Sequence, residues 1–183
     1  MNNRKLLNIE LGRVSAEEYK TLPESGLVIV LDNIRSAHNV GSAFRTADSF
    51  KIDKVWLCGI CAVPPSAEIH KSGLGAEDSV EWEHVDDTME AIKTLKEDGY
   101  TIISAEQTVN SVMLDTFVPE KGRRYAVVFG NEVNGVRQDV VDASDMALEI
   151  PQYGTKHSLN VSVSVGVILW HLRSQIPISC LPE

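Results

Sequence analysis

No stretch of this 183-residue sequence approaches the ~20 consecutive apolar residues that a membrane-spanning helix needs, so no membrane partner is expected. Met1 to Arg13 is mixed and polar, without the apolar stretch of a secretory signal, and a cytoplasmic protein is the expectation. Cysteine is scarce: three residues, an odd number, argue against a disulfide framework and for a reducing compartment. Cys58-Gly59-Ile60-Cys61 has redox spacing, but Val63-Pro64-Pro65 follows it, which is loop chemistry where a thioredoxin-like pair needs a helix N-terminus. A zinc site needs four ligands and no second ligand pair is apparent, so no metal is expected. Basic residues also run short, 17 against 26 acidic, for a formal net charge of −9. Phosphate contacts need Lys and Arg, so this balance taken whole disfavours a nucleic-acid partner. The deficit is local, however. Ser66 to Asp98 holds ten acidic and three basic residues, a net of −7, which leaves about −2 for the rest and room for a basic face elsewhere.

What is present reads as one domain with a sizeable core. Leu27 to Leu31 is wholly aliphatic, the pattern of a strand buried on both faces of a parallel sheet. A polar loop, Asp32 to Asn39, leads to a helix predicted from about Val40 to Phe50 with Asn39 as its N-cap. Lys54 to Cys58 is the next strand, so the opening is β-α-β. Cys61 to Trp82 reads as a long loop that is either functional or partly helical. Asp86 to Asp98 carries Met89, Ile92 and Leu95 at helical spacing and stops at Gly99. Strands are predicted at Tyr100 to Ala105, Tyr125 to Phe129 and Met146 to Ile150, with a short helix at Val136 to Asp142. Residues 1–25 read as an N-terminal extension to a domain at 26–183, with a short helix where Ser15 and Glu18 have capping-box spacing. Alternating strands and helices without repeats or linkers give a single α/β domain with a mostly parallel sheet.

The last stretch is ambiguous by pattern. Val161, Val163, Val165 and Val167 alternate with Ser162, Ser164 and Gly166, which at period 2 reads as a half-buried strand. A helix from about Leu159 to Arg173 would instead stack Ser158, Ser162 and Gly166 into a smooth face that a second backbone can approach. The Ser158-Leu159-Asn160-Val161-Ser162-Val163 segment follows Ile150-Pro151-x-x-Gly154. Together with Asn39-Val40-Gly41-Ser42-Ala43-Phe44-Arg45-Thr46-Ala47 and Phe129-Gly130-Asn131-Glu132, it resembles the three ordered motifs of the SpoU/TrmH family of S-adenosylmethionine-dependent RNA ribose 2′-O-methyltransferases, in the SPOUT superfamily. The similarity covers about Leu27 to Arg173, and it favours the helix. It implies a C-terminal trefoil knot, a homodimer with the cofactor sites near its interface, S-adenosyl-L-methionine as cofactor, no metal, and RNA rather than DNA as partner. Gly99 to Thr108 most resembles the branch that modifies guanosine in the tRNA D-loop, so tRNA is the first expected substrate and rRNA the second.

Methyl transfer to a ribose hydroxyl needs a cofactor cradle, an aligned oxygen and a way to handle the hydroxyl proton. An open α/β sheet places such a site at the carboxyl ends of its strands. By resemblance, Arg45 is the catalytic arginine, Asn39 and Glu132 belong to the active site, and Ser158 and Asn160 form a polar pair near the reacting centre. Glu106, Gly130, Ile150, Ser158 and Leu159 fall to the cofactor by the same resemblance. A free guanidinium stays protonated, so the physical role for Arg45 is to clamp a phosphate and polarise the attacking oxygen. Without the family, Asn39 is an N-cap, Arg45 a surface residue, and Ser158 and Asn160 the approach to a helix. Gly41 inside a helix costs ~1 kcal/mol relative to alanine, which suggests close approach by a backbone or a substrate. Gly130 to Gly135 follows a strand as a phosphate loop would, but no Lys-Ser/Thr follows Gly135, which excludes a P-loop. Val133 stands where members of the family usually carry glycine. The alternative is a non-catalytic RNA-binding member of the fold, and loss of Arg45, Glu132 or Asn160 would have signalled it; all three are present.

Overall fold

The structure is a computed structural model that describes residues 3–176. Strand β1 (Leu27–Asp32) is buried along its whole length, as its aliphatic run requires. It pairs in parallel with β2 (Lys54–Cys58) on one side and with β6 (Arg124–Gly130) on the other. With β3 (Glu81–Val85), β4 (Tyr100–Ala105), β5 (Val112–Met113) and β7 (Met146–Glu149), it forms a seven-stranded parallel sheet ordered β3-β2-β1-β6-β4-β7-β5. Side chains alternate across it. Leu27, Ile29 and Leu31 face one core with Val127 and Phe129, whereas Val28 and Val30 face the other with Ala126 and Val128.

The first core is covered by α1 (Ala16–Thr21), α2 (Ala37–Phe50), α3 (Ala67–Gly73), α4 (Ala76–Ser79) and α7 (Val161–Gln175). The second is covered by α5 (Thr88–Glu97) and α6 (Gln138–Ala143). Helix α1 has the expected capping box: Ser15 N donates to Glu18 Oε2 at 2.8 Å and Glu18 N to Ser15 Oγ at 3.2 Å. Tyr19 anchors it beside the end of α2, its hydroxyl donating to Ala47 O at 3.3 Å.

One expectation changes and two open ones are resolved. The Cys61–Trp82 stretch is partly helical, one of the two readings open to it, and holds α3, α4 and the start of β3. β3 is an edge strand with exposed Glu81 and Glu83, and such charges blunt an edge while erasing the apolar signal of a strand. Helix α2 starts at Ala37 with Ser36 as N-cap, its Oγ accepting from Asn39 N, so Asn39 lies in the first turn instead of capping it. Gly41 serves a helix crossing: a Cβ there would sit 2.0 Å from Ser72 Oγ and 2.5 Å from Ile69 O of α3.

The valine-serine alternation is helical. Val161, Val165, Ile168, Leu169 and Leu172 are buried at 3.6-residue periodicity, and Asn160 caps the helix through Ser162 N. Fifteen residues without a turn signal exceed an ordinary strand, and the larger apolar side chains decide the face.

Candidate active site

Four chain segments enclose a cleft of about 700 Å³ at the carboxyl ends of β4, β6 and β7. They are residues 105–108, 129–136, 148–150 with Gln152, and 158–161, and α6 and α7 add Gln138, Val141, Ser164 and Ile168. Glu106, Gly130, Glu132, Ile150, Ser158, Leu159 and Asn160 all line it. Asn39 stands behind them, only 8% exposed, and its Nδ2 donates to Glu132 Oε1 at 2.5 Å. This contact joins the first turn of α2 to the β6 loop across 93 residues of sequence.

Arg45 is the nominated residue that the fold does not bring to this cleft. It lies six residues beyond Asn39, ~9 Å farther along the helix and about 120° around it. Its side chain is exposed, and among the described residues no carboxylate pairs with it.

The turn after β6 is built tightly. A Cβ on Gly130 would lie 1.9 Å from Gly135 C and 2.0 Å from Val136 N, so only glycine lets the chain fold back over this point. Asn131 Oδ1 accepts from Val133 N at 3.0 Å and from Asn134 N at 2.9 Å, an Asx turn. Val133 is 87% exposed and is not among the residues with positive φ, so the turn does not require glycine there. Gly135 does have φ +67, and a Cβ there would meet Glu106 Oε2 at 2.1 Å.

Glu106 spends both oxygens on backbone: Oε2 accepts from Val136 N at 3.0 Å and Oε1 from Gln107 N at 2.8 Å. Gln107 Nε2 in turn donates to His157 O at 2.8 Å, tying the segment that leads into α7 to the end of β4. Asn160 Oδ1 accepts from Ser162 N at 2.9 Å and from Ser162 Oγ at 2.7 Å, while Ser158 and Leu159 are exposed at the mouth.

Sequence reasoning missed Gln107 and Asp32. Asp32, at the end of β1 and fully buried, accepts from Arg137 N at 2.9 Å, from Asn33 Nδ2 at 2.9 Å and from the Thr88 hydroxyl. Its one sequence signal is a carboxylate directly after a buried strand. Arg137 NH1 donates to Asp87 at 2.9 Å, and Asp139 binds the same guanidinium, which holds the Asp139 carboxyl below its ordinary range.

Cys58 and Cys61 are free and buried, and the described residues contain no cluster that could hold a metal. Burial pushes the Cys61 thiol up to about 11 and raises that of Cys58 as well. A thiolate nucleophile therefore does not form near neutrality. Maleimide labelling of the folded protein at pH 7, read by peptide mass, is expected to leave both unmodified; rapid labelling of either would restore the redox reading.

Residues 26–170 match the SpoU rRNA Methylase family. A 23S rRNA (guanosine-2′-O-)-methyltransferase of Nitrosomonas europaea is 37% identical over 158 residues, covering 84% of this chain and 58% of its own length. A tRNA (guanosine(18)-2′-O)-methyltransferase of Aquifex aeolicus is 30% identical over 83% of this chain and 71% of its own. The crystal structure of the A. aeolicus TrmH/SpoU tRNA modifying enzyme superposes with a TM-score of 0.75 at 26% identity, over 87% of this chain and 81% of that one. The chain spans 58% of the length of the Nitrosomonas relative and 61% of that of a second 23S rRNA (guanosine-2′-O-)-methyltransferase, from Neisseria meningitidis. With its three motifs gathered at one end of the sheet and this match over most of its length, the chain belongs to the SpoU rRNA Methylase family.

Proposed function

We propose that the cleft binds S-adenosyl-L-methionine and that the protein transfers its methyl group to the ribose 2′-hydroxyl of a guanosine in structured RNA. The observation that carries this reading is the Asn39–Glu132 contact, which sets the first motif against the second beside a cleft that the third motif also lines. A volume of about 700 Å³ suits a ligand of this size. Gly130, Ile150 and Leu159 offer backbone groups and apolar surface to the adenosine, and Ser158 and Asn160 lie at the mouth where the hydroxyl enters. When bound, the cofactor supplies an electrophilic methyl group on a sulfonium. Glu132 Oε1 is held by Asn39, which leaves Oε2 to accept a hydrogen bond from the ribose hydroxyl. Arg45 stays cationic and clamps the neighbouring phosphate.

Arg45 reaches a ribose through a second copy of the chain. Helix α7 presents Val163 (48% exposed), Val167 (37%) and Trp170 (61%) as an apolar stripe, and Gly166 has open space where a Cβ would be. The stripe runs beside α2, with the Phe50 and Trp170 rings 5.8 Å apart, so pairing through α7 places α2 and Arg45 at the boundary between copies. A homodimer explains both the uncovered stripe and the displaced arginine. Val167→Glu is expected to turn a dimer into a monomer in sedimentation equilibrium with the fold retained; a wild-type monomer at micromolar concentration would remove this arrangement.

The domain so formed is residues 26–183, with 1–25 as a short extension, working in the cytoplasm. We also infer the trefoil knot at its C-terminal end. Support comes from the path of the chain, which leaves β7, is held at His157 by Gln107, and returns to α2 on the far side of β6 and β1. Pulling the two ends apart in a force experiment should leave the unfolded chain shorter than its contour length by a retained knot.

tRNA is the first substrate to test because of the Gly99–Thr108 resemblance, and rRNA the second because of the Nitrosomonas relative. Incubation with methyl-labelled cofactor and either total tRNA or rRNA, followed by nucleoside mass analysis, should yield 2′-O-methylguanosine from one of them. Cofactor binding without transfer to either would favour a non-catalytic RNA-binding role.

A further inference from the structure

The loop that carries Glu132 leaves its tight turn through two consecutive backbone amides, and a carboxylate holds each of them. Val136 N donates to Glu106 at the end of β4, and Arg137 N donates to Asp32 at the end of β1. These strands are the two neighbours of β6, from which the loop springs. The loop is therefore braced from both sides of its own strand, while Asn39 holds Glu132 from above.

We propose that Glu106 and Asp32 are a pair of positioning residues that fix the Gly130–Arg137 loop, and through it Glu132, for methyl transfer; this rests on the function proposed above. Backbone amides bind the carboxylates, and neither group needs to touch a ligand. For Glu106 the assignment stands beside the cofactor contact implied by resemblance: it lines the cleft, and each of its oxygens also accepts a backbone amide of the chain itself, Val136 N and Gln107 N. The steric match supports it: Gly135 can approach the carboxylate only because it has no Cβ. Asp32 extends the brace outward. It also takes the Thr88 hydroxyl at the start of α5, while the Arg137 guanidinium bridges to Asp87, the N-cap of that helix. A loop fixed to β1, β4, α2 and α5 keeps Glu132 still while RNA and cofactor exchange.

Glu106 is the residue to change, since it is half-buried whereas fully buried Asp32 risks the fold. Hydrogen exchange at the amides of residues 131–137 should rise about tenfold in Glu106→Ala, while exchange in β1 and β6 keeps its wild-type rate. The kcat for methyl transfer should fall by up to ~100-fold with the RNA KM little changed, as expected for a misplaced reacting group. Glu106→Gln keeps one acceptor oxygen for Val136 N and should recover a large part of both losses. Unchanged loop exchange, a rise spread evenly over the sheet, or a loosened loop with full kcat would each overturn the proposal. A wild-type chain that methylates no RNA would remove the functional reading instead, and the exchange comparison, together with cofactor affinity, would still decide whether the clamp exists.

Discussion

Arg45→Ala should abolish detectable methyl transfer while leaving cofactor affinity within about twofold of wild type, the signature of an interaction made only on the way to the transition state. A positioned cation acting on developing charge is typically worth a factor of about 10² to 10³ in kcat, or ~3 to 4 kcal/mol. Among the described residues this guanidinium is exposed and has no carboxylate partner, so the fold should not register its loss. Labelled-methyl transfer measured beside calorimetric cofactor binding separates the two effects. An equal loss of both would mean that the residue supports the cofactor and not the ribose.

The proposed dimer makes this sharper. If Arg45 of one copy serves the cleft of the other, then mixing Arg45→Ala with Glu132→Ala, each inactive alone, assembles some dimers with one complete site. Free subunit exchange should return about a quarter of wild-type activity, since half of the dimers are mixed and each has one intact cleft. If Arg45 serves its own cleft, the mixture stays dead at every ratio.

What the sequence could reveal followed the range of the interactions involved. β1, β4 and β6 were legible because a run such as Leu27 to Leu31 has one low-energy use, burial on both faces of a parallel sheet. β3 was not, because an exposed edge strand spends its alternation on Glu81 and Glu83. The sequence offered Asn39 as the cap of α2, but Ser36, also a good N-cap residue, takes that place, and the Asn39 amide goes to Glu132, 93 residues away. Gly41 announced a close approach but not its partner, which lies in α3, a helix that the sequence left unplaced within a partly helical stretch. Gly130, Glu132, Ile150, Ser158, Leu159 and Asn160, far apart in sequence, line one cleft. Asp32 went unseen because its meaning lies in Thr88 and Arg137, which are 56 and 105 residues on. Family resemblance supplied Arg45, and the fold gave it an address outside its own cleft.

Gly130→Ala should have the second large effect. The added methyl would lie 1.9 Å from Gly135 C and 2.0 Å from Val136 N, both backbone atoms of the same turn. A flexible side-chain tip could swing away, but these atoms are tied to Glu106, to Asp32 through the next amide, and to the Asn131–Gly135 bridge. Relief requires lifting the loop off the end of β6, which breaks that bracing and moves Glu132 away from Asn39. Overpacking of this kind costs about 3 kcal/mol, which for a chain of this size lowers Tm by ~6 to 12 °C. Cofactor binding should be lost as well, since Gly130 to Val136 forms one wall of the cleft. Gly154→Ala is the matched control: a Cβ there meets nothing within 4 Å, so stability should stay within about 0.5 kcal/mol and binding should be kept. If Gly130→Ala melts low yet binds S-adenosyl-L-methionine as well as wild type does, the cofactor sits elsewhere than against the β6 turn. Wild-type melting and binding together would mean that the turn relaxes freely, and that the bracing by Glu106 and Asp32 is weaker than its geometry.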